Sequence, residues 1–233
     1  MKKYFFIVVL FTLFFAQSTF AQKTFLLKGA SKTYDVKITI AKCEKDICEG
    51  KATVFLMKKN QTTPFQTVRM PNLYLELGDD RKPTANLIEL YGMNNSGVVF
   101  EDFNFDGADD LALRNGNEGA YGGPSYDILL FSKARNNFLI NRELSELASS
   151  NLGLFDVDKK NKTIETFTKS GCCWHQTTRY RVINNRPKKV YAFTEDATAA
   201  NDKVILTTET LNAGKWRKTK KTVLRKDYYN EQQ

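Results

Sequence analysis

The chain has 233 residues, of which 42% are hydrophobic and 26% are charged, and its formal net charge at pH 7 is +9. This length suits one domain, and the even spread of aromatic and β-branched residues predicts an ordinary buried core, which excludes a disordered chain. A single histidine and the lack of nucleophile or phosphate-binding motifs disfavour a hydrolytic or redox enzyme. The one kind of active site that composition does not exclude is a pair of carboxylates, as in glycosidases. We therefore expect a protein that is not an enzyme.

The N-terminus has the pattern of a secretory signal. Two lysines precede an apolar run that is shorter than the roughly 20 residues of a membrane-spanning helix. Thr19 and Ala21 fit a small-x-small cleavage site. We predict that residues 1–21 are removed before Gln22 and that residues 22–233 form one exported domain with a net charge of +7. The alternative is an uncleaved anchor. Export to the periplasm, cell envelope or exterior argues against a nucleic-acid partner.

Alternation of apolar and polar residues dominates the rest of the chain and predicts strands. About ten segments follow this pattern, with Gly, Asn or Asp clusters between them. The single convincing helix runs from Asn141 to Ser150, where apolar residues recur at helical spacing. The predicted fold is all-β, either a sandwich or propeller-like antiparallel sheets with one short helix. No internal repeat is legible, which disfavours a propeller of identical blades.

The chain contains four cysteines, an even number that favours disulfides in an exported protein. Cys43 and Cys48 flank a four-residue turn between two strands, where facing positions approach disulfide distance. We predict a Cys43–Cys48 disulfide, and the alternative links this hairpin to Cys172 or Cys173. If the hairpin bond forms, the adjacent pair is either bonded to itself or free. A zinc site with His175 is a further, disfavoured alternative.

An acidic turn between residues 102 and 110 carries oxygen-bearing side chains at its first, third, fifth and ninth positions and glycine at its sixth. These are the positions of calcium ligands in a tightly wrapped loop. The segment lacks the glutamate at position twelve and the flanking helices of an EF-hand, because its flanks are predicted strands. The alternative is a hairpin turn whose Asp and Asn side chains only cap backbone N–H groups. The predicted ligands are the side chains of Asp102, Asn104, Asp106 and Asp110 and the carbonyl of Ala108.

Two aromatic residues in this turn, Phe103 and Phe105, are expected to point into the core and fix the loop. A glycine-rich loop follows the outgoing strand and contains or adjoins Tyr121, Ser125 and Tyr126. We predict that these three residues contact a partner protein, because a loop anchored near a bound ion can present a rigid surface. The alternative is an ordinary hairpin connection.

Near the C-terminus, seven lysines and arginines occur between Lys215 and Lys226 without an acidic residue. This segment is predicted to be a strand. Lysines that guard a solvated sheet edge are one interpretation. The other is a surface for anionic lipid headgroups or wall polymers.

Three segments together resemble a family of calcium-binding periplasmic proteins. They are the turn from Phe100 to Leu111, the glycine-rich stretch from Asn117 to Tyr126, and the stretch from Gly171 to Tyr180. The turn itself resembles the strand-flanked calcium loops of integrin-type FG-GAP repeats. The family includes an immunity protein against a secreted peptidoglycan hydrolase, and its fold is similar to that of periplasmic lysozyme inhibitors.

The resemblance implies a bound Ca²⁺ ion and a protein partner, such as a peptidoglycan hydrolase, that this protein binds and neutralises. The positive charge of the mature chain favours an acidic or neutral target over a basic lysozyme. The alternative function is an envelope or surface module that binds anionic glycans.

Overall fold

The computed structural model describes residues 22–88, 95–199 and 201–230. The predicted signal peptide, residues 1–21, lies outside these ranges. The described residues form 14 strands in three antiparallel sheets, together with two short α-helices. The sheets pack in layers, which confirms the predicted all-β, sandwich-like fold. Neither of the two described helices has the length and apolar character needed to span a bilayer.

The first sheet contains four strands that pair in chain order. Alternate residues of its second strand, Val36, Ile38 and Ile40, are fully buried, as the sequence pattern predicts. Cys43 and Cys48 face each other at the end of the central hairpin and form a disulfide, which confirms the predicted bond. The strands are β1 (Lys23–Leu27), β2 (Tyr34–Glu44), β3 (Ile47–Lys58) and β4 (Gln66–Glu76).

The middle sheet also has four strands in chain order and is buried on both faces. Its strands are β5 (Val98–Glu101), β6 (Asp110–Gly116), β7 (Ser125–Ser132) and β8 (Asn137–Ile140). In β5, Val98 and Phe100 face the first sheet, whereas Val99 faces the second hydrophobic core. Residues 111–113 divide between the two cores in the same alternating way. Continuous apolar runs are the expected sequence of strands with two buried faces.

The predicted helix is confirmed as α1 (Arg142–Ser150). The side chain of Asn141 caps its N-terminus by accepting a hydrogen bond from the N–H of Leu144. Leu144 and Ala148 are fully buried against the middle sheet, so tertiary packing holds this short helix in place.

The third sheet has six strands in chain order and ends in a short helix. At one end, Ile164, Tyr180 and Val182 pack on the second core. The other end is largely exposed. The elements are β9 (Asp156–Asp158), β10 (Thr163–Ser170), β11 (Trp174–Ile183), β12 (Arg186–Asp196), β13 (Lys203–Asn212), β14 (Lys215–Leu224) and α2 (Arg225–Asn230).

A buried charge, Arg114 of β6, joins the middle sheet to the first. Its guanidinium donates hydrogen bonds to Oε1 of Glu76 at 2.8 Å, to the carbonyl of Asn95 at 3.2 Å and to Oδ1 of Asn117 at 2.6 Å. Its Cζ lies 4.1 Å from the ring centre of Tyr74. Only 3% of the Arg114 side chain is exposed, so these partners replace part of the water that the charge has lost, while Nε is buried without a hydrogen-bond partner among the described residues.

Candidate calcium loop and partner-binding surface

The acidic turn connects β5 and β6 at one end of the middle sheet, where Glu101 pairs with Asp110. Its flanks are strands, so the loop is not an EF-hand. Phe103 is fully buried and contacts Phe155 edge to face, with ring centres 5.3 Å apart. This confirms the predicted inward position of Phe103. Phe105 is only partly buried, against the second core, and has a φ of 62°.

Three oxygen-bearing side chains of the turn accept hydrogen bonds from the backbone N–H groups of residues 106–108. Oδ1 of Asp102 and Oδ1 of Asn104 both accept hydrogen bonds from the N–H of Asp106, at 3.0 and 3.1 Å. Oδ2 of Asp102 accepts from the N–H of Gly107 at 2.9 Å, and Oδ1 of Asp106 accepts from the N–H of Ala108 at 2.9 Å. A carboxylate or amide oxygen has two lone pairs, so the oxygens of Asp102 and Asn104, which accept one hydrogen bond each here, keep capacity for a cation. Oδ1 of Asp106 also lies 3.3 Å from the ammonium of Lys133.

Gly107 supplies the backbone conformation that closes the turn. Its φ is 84°, in the left-handed region that side chains resist. A Cβ at this position would meet nothing within 4 Å, so the requirement for glycine is conformational and not steric. The chain is thereby wound around the oxygens of Asp102 and Asp106, as a hard cation requires.

Asp110 lies beneath the turn and is fully buried. Its Oδ2 accepts from the N–H groups of Phe103 at 3.0 Å and Asn104 at 3.3 Å, and its Oδ1 accepts from the N–H of Phe131 at 2.8 Å. Burial raises the pKa of Asp110 to about 7, against the opposing effect of the hydrogen bonds from Phe131 and Phe103. Asp110 therefore ties the turn to β7, and its role as a calcium ligand stays a prediction.

Contacts from distant segments complete the surroundings of the turn. The ammonium of Lys133 donates to the carbonyl of Asp106 at 2.6 Å and lies 3.3 Å from its Oδ1. Asn185, in the turn between β11 and β12, accepts from Nδ2 of Asn104 at 3.0 Å. Neither Lys133 nor Asn185 carried a sequence signal, because both reach the turn only through the packing of the sheets.

The oxygen atoms that could bind a cation in this turn are of three kinds: carboxylate, amide and backbone carbonyl. Within residues 22–88, 95–199 and 201–230, no three Asp, Glu, His or Cys side chains form a metal-binding group by themselves. A cation held here would share the carboxylates of Asp102 and Asp106 with the amide oxygen of Asn104 and the carbonyl of Ala108. Such all-oxygen sets suit Ca²⁺, which accepts side-chain and backbone oxygens in flexible geometry. The oxygens of Asp102, Asn104 and Asp106 fit this ion.

Tyr121 lies in a short 3₁₀ turn, Ala120–Gly122, and its side chain is 65% exposed. Its hydroxyl accepts a hydrogen bond from the N–H of Gly171 at 2.7 Å. The Nζ of Lys169 lies 5.0 Å from its ring centre. The structure thus joins the glycine-rich loop to the turn between β10 and β11, where Cys172 and Cys173 form a disulfide.

This second disulfide excludes the zinc alternative, because Cys172 and Cys173 then have no thiolate to offer. The His175 ring instead stacks on Phe167, with ring centres 5.8 Å apart, and its Nδ1 lies 4.0 Å from Oε1 of Glu195.

The structure corrects the other two predicted partner contacts. Ser125 and Tyr126 are both fully buried at the start of β7. The Ser125 hydroxyl donates to Oδ1 of Asn115 at 2.6 Å, and the Tyr126 hydroxyl donates to the carbonyl of Ser96 at 3.1 Å. A buried side chain offers a partner no surface, so both residues serve the fold. Only Tyr121 of the predicted set is accessible.

The acidic turn and the glycine-rich loop lie at opposite ends of β6. This strand has seven residues, which corresponds to roughly 20 Å at the usual rise of a strand. The expectation that a bound ion would directly stiffen the Tyr121 loop is therefore wrong. Closeness in the sequence becomes separation in space because a strand runs between the two loops.

Comparison with known proteins supports the fold but does not identify a family. No protein-family model matches the chain, and no curated protein matches it. A solved structure titled "Structure of a Xanthomonas Type IV Secretion System related protein" is similar, with a TM-score of 0.65 and 24% sequence identity. The match covers 84% of this chain and 92% of the Xanthomonas chain. At this identity the likeness establishes a shared fold, so the resemblance to calcium-binding periplasmic proteins rests on the motifs alone.

Proposed function

We propose that this protein is an exported, non-enzymatic calcium-binding protein of the periplasm or cell envelope that binds and neutralises a cell-wall-degrading enzyme. The observation that carries the calcium part is the convergence of Asp102, Asn104 and Asp106 in a turn closed by Gly107. Their oxygens share backbone donors and retain lone pairs, which is the arrangement that an oxygen-seeking cation needs. The bound ion stabilises the fold and takes no part in a reaction.

The partner-binding part is supported by the surface around Tyr121. An exposed tyrosine combines a large contact area with a polar group and little loss of side-chain entropy. Its hydroxyl and ring already contact Gly171 and Lys169, so the side chain is held in place before a partner arrives. Such preorganisation lowers the entropic cost of binding. The similar Xanthomonas structure is of a secretion-system-related protein, which is compatible with an envelope role for this chain.

The function is tested by capture of the partner. The mature chain, immobilised with calcium, is exposed to an envelope extract from the source cells, and retained proteins are identified by mass spectrometry. We expect a peptidoglycan hydrolase of acidic or neutral isoelectric point, whose activity on purified cell wall falls when the protein is added. If the retained material is wall polymer and no hydrolase is inhibited, the glycan-binding alternative replaces the proposal.

Truncation of the exposed tyrosine tests the surface itself. We expect Tyr121→Ala to weaken hydrolase binding by about 2 kcal/mol or more, roughly thirtyfold in Kd, while the melting temperature and calcium response stay unchanged. Calorimetric titration of the captured hydrolase measures the change. Tyr121→Phe separates the ring from the hydroxyl that Gly171 contacts. Tyr229→Ala is the matched control, because Tyr229 is also exposed but lies on α2. Equal binding by the wild type and Tyr121→Ala would place the interface elsewhere.

A further inference from the structure

β14 is an edge strand that is exposed along almost its whole length. Nine of its ten residues are exposed, and among the described strands it pairs only with β13. In an antiparallel sheet, alternate residues of an edge strand direct their N–H and C=O groups away from the neighbouring strand. The outer side of β14 therefore presents a row of backbone donors and acceptors, which is a template for another strand.

Positive side chains occur on both faces of this strand. Because side chains alternate along a strand, Lys218 and Lys220 project from one face, and Arg217 and Lys221 project from the other. A flat anionic surface, such as a membrane, would meet only one of these faces. An extended peptide that paired with β14 would place its own side chains alternately on both faces, where each acidic residue would meet a cation.

Most of this charge is not neutralised by the adjacent strand. Glu209 of β13 contacts Lys218 at 2.9 Å and is also bound to Lys189 of β12 at 2.9 Å. The partners of the other cations in the β13 register are neutral, since Arg217 faces Thr210, Lys220 faces Thr207 and Lys221 faces Leu206. Within the described residues, none of these three cations forms an ion pair with an acidic side chain.

The charge of β14 also determines which kind of strand can pair with it. Edge lysines commonly prevent aggregation, because two copies of the same basic edge repel each other. The same lysines attract a strand of opposite charge. The edge is therefore closed to the β14 edge of a second copy of this chain and open to an acidic segment of another protein.

We propose that β14 binds an extended acidic segment of a partner protein, which adds to the third sheet as a seventh strand. Backbone hydrogen bonds give the complex its geometry, and cations on the two faces select acidic residues. This inference goes beyond the proposed function, since it requires neither the calcium ion nor Tyr121.

The test uses the mature protein and a fluorescent ten-residue peptide of Glu, Thr and Val, with Glu on both alternate sets of positions. We expect saturable binding at low salt that weakens as salt is added, together with slower hydrogen exchange of alternate β14 amides. The double variant Lys220→Glu and Lys221→Glu removes one cation from each face and should weaken binding at least about tenfold. Lys23→Glu with Lys28→Glu is the matched control, because it changes the net charge equally at the start of β1 and in the turn that follows it, and it should leave binding intact.

Two further probes decide between strand pairing and simple charge attraction. The same peptide with alternate amides N-methylated keeps its charge but cannot form the ladder, so its binding should fall at least about tenfold. Polygalacturonate and anionic vesicles carry negative charge without peptide groups and should bind more weakly than the peptide. Equal binding of the methylated peptide, tighter binding of polygalacturonate or vesicles, or no binding of the peptide would each overturn the proposal.

Discussion

Replacement of Arg114 by methionine is expected to lower the free energy of unfolding by about 3 kcal/mol, the lower end of the usual cost of breaking a buried ion pair, because 28% of the Glu76 side chain stays exposed to water. Methionine fills much of the volume of arginine but leaves Glu76, Asn95 and Asn117 without their donor. Asn95 is buried, so its carbonyl loses a donor where water does not replace it, whereas the partly exposed Glu76 and the exposed Asn117 regain hydrogen bonds from water. For a chain of this size the melting temperature should fall by at least about 6 °C, measured by calorimetry.

Two control variants show whether burial is the cause. Arg179 also binds a carboxylate, that of Glu165, and packs on the Tyr191 ring, but its side chain is 48% exposed. Arg179→Met should therefore cost less than about 1 kcal/mol. Combining Arg114→Met with Glu76→Leu removes both charges and should recover part of the loss. If Arg114→Met and Arg179→Met are equally mild, Arg114 does not hold the two sheets together.

Removal of calcium should produce the second large effect. With free calcium at one hundred times its Kd, the ion contributes about 2.7 kcal/mol to stability, so excess chelator should lower the melting temperature by roughly 5 to 10 °C. Part of this loss arises because the carboxylates of Asp102 and Asp106 repel each other once the cation is gone. Asp106→Ala removes one of the carboxylates proposed to bind the ion and should abolish the difference between calcium and chelator.

Asp158→Ala is the control for the calcium experiment. Asp158 caps a turn by accepting from the N–H of Asn161 at 2.9 Å, which is the role that the alternative interpretation gives to the acidic turn. Its replacement should lower stability equally with calcium and with chelator, and the response to chelator should persist. Identical melting of the wild type in both solutions would show that the acidic turn is only capped backbone.

The sequence predicted the first sheet and α1 well, because each buries one face. Val36, Ile38 and Ile40 alternate with polar residues, and Leu144 and Ala148 recur at helical spacing. The third sheet was harder to predict. The basic segment that begins at Lys215 is confirmed as the strand β14, but both of its faces are exposed, so no apolar period marks it. The alternating pattern as a whole predicted about ten strands, where the described residues contain 14.

Part of the candidate site could likewise be predicted from the sequence, and part could not. Asp102, Asn104 and Asp106 could be identified because the turn is contiguous and its oxygens follow a fixed spacing. The contacts of Lys133 and Asn185 could not, because they arise from chain segments far away in the sequence. Tyr126 was misassigned for a related reason. The local sequence around an aromatic residue beside a glycine-rich loop looks the same whether that residue ends the loop or starts a buried strand.

The strand order has a consequence for how the chain folds. Every strand in each of the three sheets pairs with its neighbour along the chain, and each sheet is complete before the next one begins. Within each sheet, backbone pairing therefore joins only strands that are consecutive in the sequence, so the loops that must close between them are short. A chain that emerges N-terminus first can close β1 to β4 without waiting for later strands. The middle sheet has two apolar faces, so one of them stays exposed until β10 and β11 cover it, and an exposed apolar face makes a partly folded chain prone to aggregate.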